Sequence, residues 1–127
     1  MASSSRGGTR KDLGIYVRSS WEANYCRYLN FLKDKNIIYA WAFEPDIFYF
    51  EGIRSGCVSY TPDFKIWDSQ ESFPYYVEVK GYMDAKSKTK LKRMQKYYPN
   101  IRVDLVRSKE YNEIKKKVSA LIAFWEY

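Results

Sequence analysis

The sequence predicts a mixed α/β domain with its elements in the order αβββαβα. Apolar residues recur at helical spacing in three segments, runs rich in β-branched and aromatic residues lie between them, and no internal repeat appears. With 127 residues, of which 46% are hydrophobic and 19% aromatic, the chain can bury one compact core.

Residues 1–14 are rich in Ser, Gly, Arg and Lys and predict a flexible basic arm, equally suited to touching phosphates or to remaining solvated. That leaves 15–127 as a single domain. Ser19 or Ser20 opens a helix running to about Asp34, with Trp21, Tyr25, Tyr28, Leu29 and Leu32 on one apolar stripe. Those aromatics read as core and not as a base-stacking platform. Ile37 to Phe43 and Asp46 to Phe50 read as strands meeting at a bend, interrupted by Glu44-Pro45. A Gly-containing connection then leads to a strand ending near Trp67. Asp68 to Pro74 is a polar turn and Tyr75 to Lys80 the next strand. From Asp84 to about Tyr98 a second helix turns Leu91, Met94 and Tyr98 inward and stops at Pro99. Ile101 to Val106 is a strand. Ser108 then caps a last helix whose face is Tyr111, Ile114, Val118, Leu121, Ile122 and Trp125.

Composition sorts the chemistry. A formal net charge of +7 points to a polyanionic partner, and the absence of a long apolar run directs that expectation to nucleic acid and away from membranes. The first residues carry no apolar run, which predicts no secretory signal and a cytoplasmic setting. Cys26 and Cys57 lack metal-ligand spacing and read as free thiols. There is no histidine, which removes Ser-His-Asp and Cys-His hydrolases and imidazole-based metal sites. Hydrolytic chemistry here must run on carboxylates, lysine and a hard cation.

Such a set is present. Strand alternation sends Glu78 and Lys80 to one face and Val77 and Val79 to the core, while on the neighbouring strand Asp63 and Lys65 oppose Phe64 and Ile66. A hairpin between the two strands brings Asp63 and Glu78 within reach of one cation. Two carboxylates, the Val79 carbonyl and waters make an oxygen-rich set suited to Mg²⁺, with Mn²⁺ able to substitute. Without it the two carboxylates repel and one resists ionisation. Each element also has a plain reading: Glu-x-Lys as a solvent-facing pair, Pro62-Asp63 as a turn. Pro45-Asp46 stands one strand further off and reads as part of the bend.

These residues resemble the PD-(D/E)XK nuclease superfamily. The series Val17-Arg18-Ser19-Ser20-Trp21-Glu22, Tyr60-Thr61-Pro62-Asp63-Phe64 and Tyr76-Val77-Glu78-Val79-Lys80-Gly81, followed by a basic helix ending in Tyr97-Tyr98-Pro99, is similar to the endonuclease I type Holliday junction resolvases of phages. The resemblance covers roughly 16–107. It implies a restriction-endonuclease-like core with a mixed central sheet, two divalent metals shared by Asp63 and Glu78, Glu22 on the second metal, and Lys80 beside the attacking water. It further implies a homodimer acting on branched or duplex DNA. Connections longer than the family's, before Thr61 and between Asp63 and Glu78, bear on substrate geometry.

Glu22 keeps two readings, because Ser19-x-x-Glu22 is also a capping box. DNA contacts are expected from Arg18 and from Lys86, Lys88, Lys90, Lys92, Arg93 and Lys96 on the second helix, whose plain alternative is a solvated face. The sequence is compatible with three functions. They are a structure-selective endodeoxyribonuclease, a nuclease subunit of a transposition, packaging or repair complex active only with its partner, and a catalytically silent DNA-binding relative.

Overall fold

The computed structural model describes residues 6–127, so the first five positions of the expected arm lie outside the described residues. From there the chain is not an arm. Gly8–Arg10 (β1) pairs antiparallel with Ile15–Val17 (β2) around a turn in which the Leu13 and Gly14 amides donate to the Arg10 carbonyl and Gly14 adopts φ +70°. Glycine reaches that left-handed conformation without a Cβ clash. The hairpin is held because its charged residues find fixed partners: Arg10 donates to Glu126 at 2.7 Å, and Asp12 accepts from the buried Arg27 at 2.8 Å.

Helix α1 (Ser20–Asp34) starts where Ser19, in extended conformation, accepts the Glu22 amide at 3.1 Å. Its Ala23, Cys26 and Leu29 are buried together. It ends at Asn36, φ +60°, a conformation asparagine tolerates, and the Ile37 amide returns to the Leu32 carbonyl. The helix end thereby absorbs Ile37, and the strand expected from Ile37 begins only at Ala40.

A four-stranded mixed sheet follows, in the order β3 (Ala40–Phe43), β6 (Phe64–Trp67), β7 (Tyr75–Val79), β8 (Val103–Val106). The first three are antiparallel neighbours; β7 and β8 are parallel, joined through α2 (Ala85–Tyr97). Two short strands, β4 (Phe48–Tyr49) and β5 (Ser59–Tyr60), form a separate ladder. The hairpin precedes the expected elements, β4 falls within the expected Asp46 to Phe50 strand, and β5 is separated from the strand ending at Trp67, so the observed order is ββαβββββαβα. Among members of the central sheet and the helices alone, the sequence of elements is α1, β3, β6, β7, α2, β8, α3.

Helix α3 (Ser108–Val118) departs from expectation at both ends. Its N-cap is Arg107, whose amide is accepted by the Glu110 carboxylate at 2.9 Å, so Ser108 is the first helical residue and not the cap. After Val118 the chain makes a 3-10 turn at Ser119–Leu121 and then a left-handed residue at Phe124. The expected continuous face is therefore broken: Leu121 is exposed, while Trp125 reaches the core from the extended tail.

Strand alternation sorts the core into two layers. Phe64, Ile66, Val77 and Val79 pack with α1, Tyr111 of α3 and Trp125 on one side of the sheet. Trp21 of α1 stacks on Tyr111 with centroids 4.1 Å apart. On the other side Met94 of α2 packs with Phe50 and Tyr60, joined by Leu91, Tyr97 and Tyr98. Among the described residues no helix is long and apolar enough to cross a membrane.

Candidate active site

Where β6 and β7 enter the second layer, their polar side chains meet the start of α1. The antiparallel register pairs Phe64 with Val77, which leaves Asp63 and Glu78 facing each other one step beyond the paired stretch. Pro62, fully buried and lacking an N–H, ends the ladder at that point. Asp63 fills the gap with its side chain: Oδ2 accepts the Val79 amide at 2.8 Å. In return Glu78 Oε1 accepts the Asp63 amide at 3.3 Å and the Tyr60 hydroxyl at 2.8 Å. Backbone amides of the two strands thus fix both acids.

Glu22 arrives from α1. Its Oε1 accepts the Arg18 amide at 3.0 Å, one residue upstream of the position a capping box uses, and its own amide is the one held by Ser19. Helix capping and a place in the cleft coincide in this residue. Lys80 is anchored through its amide to the Val106 carbonyl at 3.0 Å. Together Arg18, Glu22, Asp63, Glu78, Val79, Lys80 and Lys90 line one cleft of about 400 Å³.

The cleft contains more negative than positive charge: Glu22, Glu44, Asp63 and Glu78 against Arg18, Lys80 and Lys90. Burial acts first on these acids. Asp63, 3% exposed, is pushed well above the ordinary aspartate range by desolvation and then by the charges of Glu78 and Glu22, against the opposing Val79 amide and Arg18. Glu78 is also raised, chiefly by burial, with the Tyr60 hydroxyl, Lys80 and the Asp63 amide pulling the other way. Among the described residues no group of three or more His, Cys, Asp or Glu side chains is placed to hold a metal ion. The oxygens point instead to the donors just named and to the Arg18 guanidinium, which contacts Glu44, lies 3.7 Å from Asp63 and 3.8 Å from Glu22.

Two cleft residues escaped the sequence reading. Glu44 sits on the far side of Arg18, its amide donating to the Asp63 carbonyl at 2.8 Å and its backbone in the left-handed region at φ +48°. An acid between a strand and a proline was the available signal, but its conformation was not readable. Tyr60, first residue of the Tyr-Thr-Pro-Asp run, supplies the hydroxyl on Glu78.

The expected DNA-contacting side chains separate. Lys90 lines the cleft; Lys86, Lys88, Lys92 and Lys96 lie on α2 outside it. Arg93 donates from Nη1 to the carbonyls of Gly56 and Cys57 at 2.6 and 2.8 Å, which makes it the clamp of the loop leading into β5. Asp46 is more than part of a bend: it accepts from Lys65 at 2.8 Å and from the Tyr76 hydroxyl, continuing the polar face along the sheet. No family model, no curated protein and no solved structure matches the chain.

Proposed function

We propose that the cleft is the active site of a divalent-metal-dependent endodeoxyribonuclease, structure-selective in the manner of the junction resolvases its motifs resemble. The observation that carries this reading is the convergence of Asp63, Glu78, Glu22 and Lys80 on one cleft with an excess of buried carboxylate. Its donors are oxygens, which suits a hard cation. Mg²⁺ keeps several waters and needs only one or two carboxylates besides substrate oxygens, so Asp63 and Glu78 with the Val79 carbonyl suffice for one ion and Glu22 is the added ligand for a second. When bound, the ion supplies a nucleophile at neutral pH and neutralises charge on the phosphate.

The chain's own residues do the rest. Tyr60 and the Asp63 amide hold the Glu78 carboxylate in one rotamer, and the Val79 amide does the same for Asp63. Lys80, on the same strand face as Glu78, is the group that orients the attacking water and meets developing charge on the phosphate. Lys90 and the other lysines of α2 attract the backbone. A symmetric four-way junction needs two cuts, so the acting species in this reading is a homodimer.

Purified protein with Mg²⁺ is to be incubated with four-way junction, duplex and single-stranded DNA. Cleavage of the junction, lost in excess EDTA and lowered at least about 10³-fold by Asp63→Asn, Glu78→Gln or Lys80→Ala, is the expected result. Cleavage that survives EDTA rejects the metal-dependent reading. Cleavage appearing only with a protein partner favours the subunit alternative. Replacing Lys86, Lys88 and Lys90 by Gln should flatten the salt dependence of DNA affinity, its slope falling by about one for each phosphate no longer neutralised.

A further inference from the structure

Among the described residues Arg18 is the cation that lies against three of the four cleft carboxylates, and it does so from a fixed base with a solvent-facing head. Its amide is tied to Glu22 Oε1 at 3.0 Å, whereas its side chain is 57% exposed. The guanidinium is drawn inward by Glu44, which reaches it from a left-handed backbone position at φ +48°. Such a conformation is unfavourable for a non-glycine residue and persists where surroundings impose it. The result places positive charge 3.7 Å from Asp63 Oδ1 and 3.8 Å from Glu22 Oε2, beside the same oxygens that the proposed function assigns to a divalent ion.

We propose that Arg18 is the built-in counter-cation of this cleft, competing with the divalent ion for Asp63 and Glu22 and freed to meet a DNA phosphate when that ion enters. The inference rests on the metal reading above and deepens it. A divalent ion and a guanidinium cannot both neutralise the same two carboxylates at close range without repelling each other. Entry of the ion therefore leaves the guanidinium with Glu44 alone, and an exposed arginine held by one carboxylate at the mouth of the cleft can turn to a phosphate as a bidentate ligand. Metal and DNA then help each other bind, and by linkage the help is reciprocal. In the resting cleft Glu44, Asp63 and Glu22 together keep Arg18 off the DNA until the ion takes two of them.

Calorimetric titration of Mn²⁺ into the full chain without DNA tests the competition. Arg18→Ala and Arg18→Gln, both checked for an unchanged melting transition without metal, should each bind Mn²⁺ about tenfold more tightly than wild type. Arg18→Lys, which keeps the charge, should stay within about threefold of wild type. The coupling is read in a Lys80→Ala background, which leaves bound junction DNA uncut. There Mn²⁺ should strengthen junction affinity, and adding Arg18→Ala should remove most of that gain. Unchanged or weaker Mn²⁺ affinity in both neutral variants, or a metal-induced gain that survives Arg18→Ala, overturns the role of Arg18 while leaving the metal reading standing. Absence of Mn²⁺ binding by wild type overturns both.

Discussion

Helix α1 presents two faces to two carboxylate clusters, and the chain treats them in opposite ways. On one face Ser20, Asn24 and Arg27 meet Glu126: its carboxylate accepts from Ser20, from Arg27 at 2.9 Å and twice from Arg10, while its backbone amide and carbonyl are both taken by Asn24. Asp12 completes the set on Arg27, so two guanidinium groups balance two acids. Burial alone would raise Glu126, but these bonds outweigh it and hold the group at about 2. On another face Glu22 joins Asp63 and Glu44 around Arg18, with Glu78, Lys80 and Lys90 lining the same cleft, and Asp63 is driven upward. The ingredients are alike, but the charge balance differs and so does the depth of burial, which is the first cause of the rise at Asp63. A balanced cluster ties the tail and the first hairpin to α1; an unbalanced one holds acids in a state that an incoming cation would relieve.

The largest stability effect separating the two clusters should come from Glu126→Ala. Arg27, 6% exposed along its side chain, would lose one of its two acids, and Arg10 would lose its anchor. Breaking a buried pair by deleting one partner costs roughly 3 kcal/mol. In a domain of this size that lowers the melting temperature by about 10 °C. Urea unfolding measures the loss, and cleavage per folded molecule should be unchanged. A loss confined to cleavage, with stability intact, would exchange the roles assigned to the two clusters.

The pH dependence of stability in EDTA should show both clusters at once. Glu126 is depressed in the folded state, so its stabilisation is present above the ordinary glutamate value near 4 and is lost as pH falls toward about 2. Asp63 is raised, so its protonated form favours folding at low pH and that contribution disappears as pH rises through the elevated value. Asp63→Asn keeps an acceptor for the Val79 amide and removes the charge. It should weaken the loss of stability as pH rises and leave the metal-free protein more stable than wild type at pH 8, as read by urea unfolding. Adding Mg²⁺ should stabilise wild type but not the variant. A variant less stable than wild type at pH 8 would mean that Asp63 is held as a satisfied charge, like Glu126.

The sequence made one cluster visible and hid the other, for physical reasons. Asp63, Glu78 and Lys80 lie on or beside strands, where a period of two fixes which side chains share a face, and a short turn fixes the pairing. Helix α1 was legible from its apolar spacing and from the Ser19 cap. The Glu126 hub joins residues 10, 12, 20, 24, 27 and 126, and no local pattern announces contacts over such separations. The same blindness turned residues 6–14 into an expected arm, since their composition is that of a solvated tail, while the partners of Arg10 and Asp12, the pairing with β2 and the packing of Leu13 order them. Glu44 was missed because a left-handed glutamate carries no compositional mark.

The smallest effect tests whether burial, and not proximity alone, sets the worth of the bonds on Glu126. Arg102 grips Asp104 in a two-pronged contact at 2.6 to 3.1 Å, as short as the bonds on Glu126, with its guanidinium 4.1 Å from the centre of the Tyr75 ring. Both partners remain open to water, at 62% and 42% side-chain exposure. Water solvates the separated charges nearly as well as they solvate each other, so exposed pairs contribute about 0–1 kcal/mol. Asp104→Asn should therefore shift stability by less than about 0.5 kcal/mol, and the shift should vanish in 1 M salt, where the screening length is about 3 Å. Glu126→Ala should retain most of its cost under the same salt, because its partners are shielded from ions. If the two substitutions cost the same, contact distance rather than burial sets the worth of a charge in this fold, and the contrast between Glu126 and Asp63 must be sought in geometry instead of in charge balance.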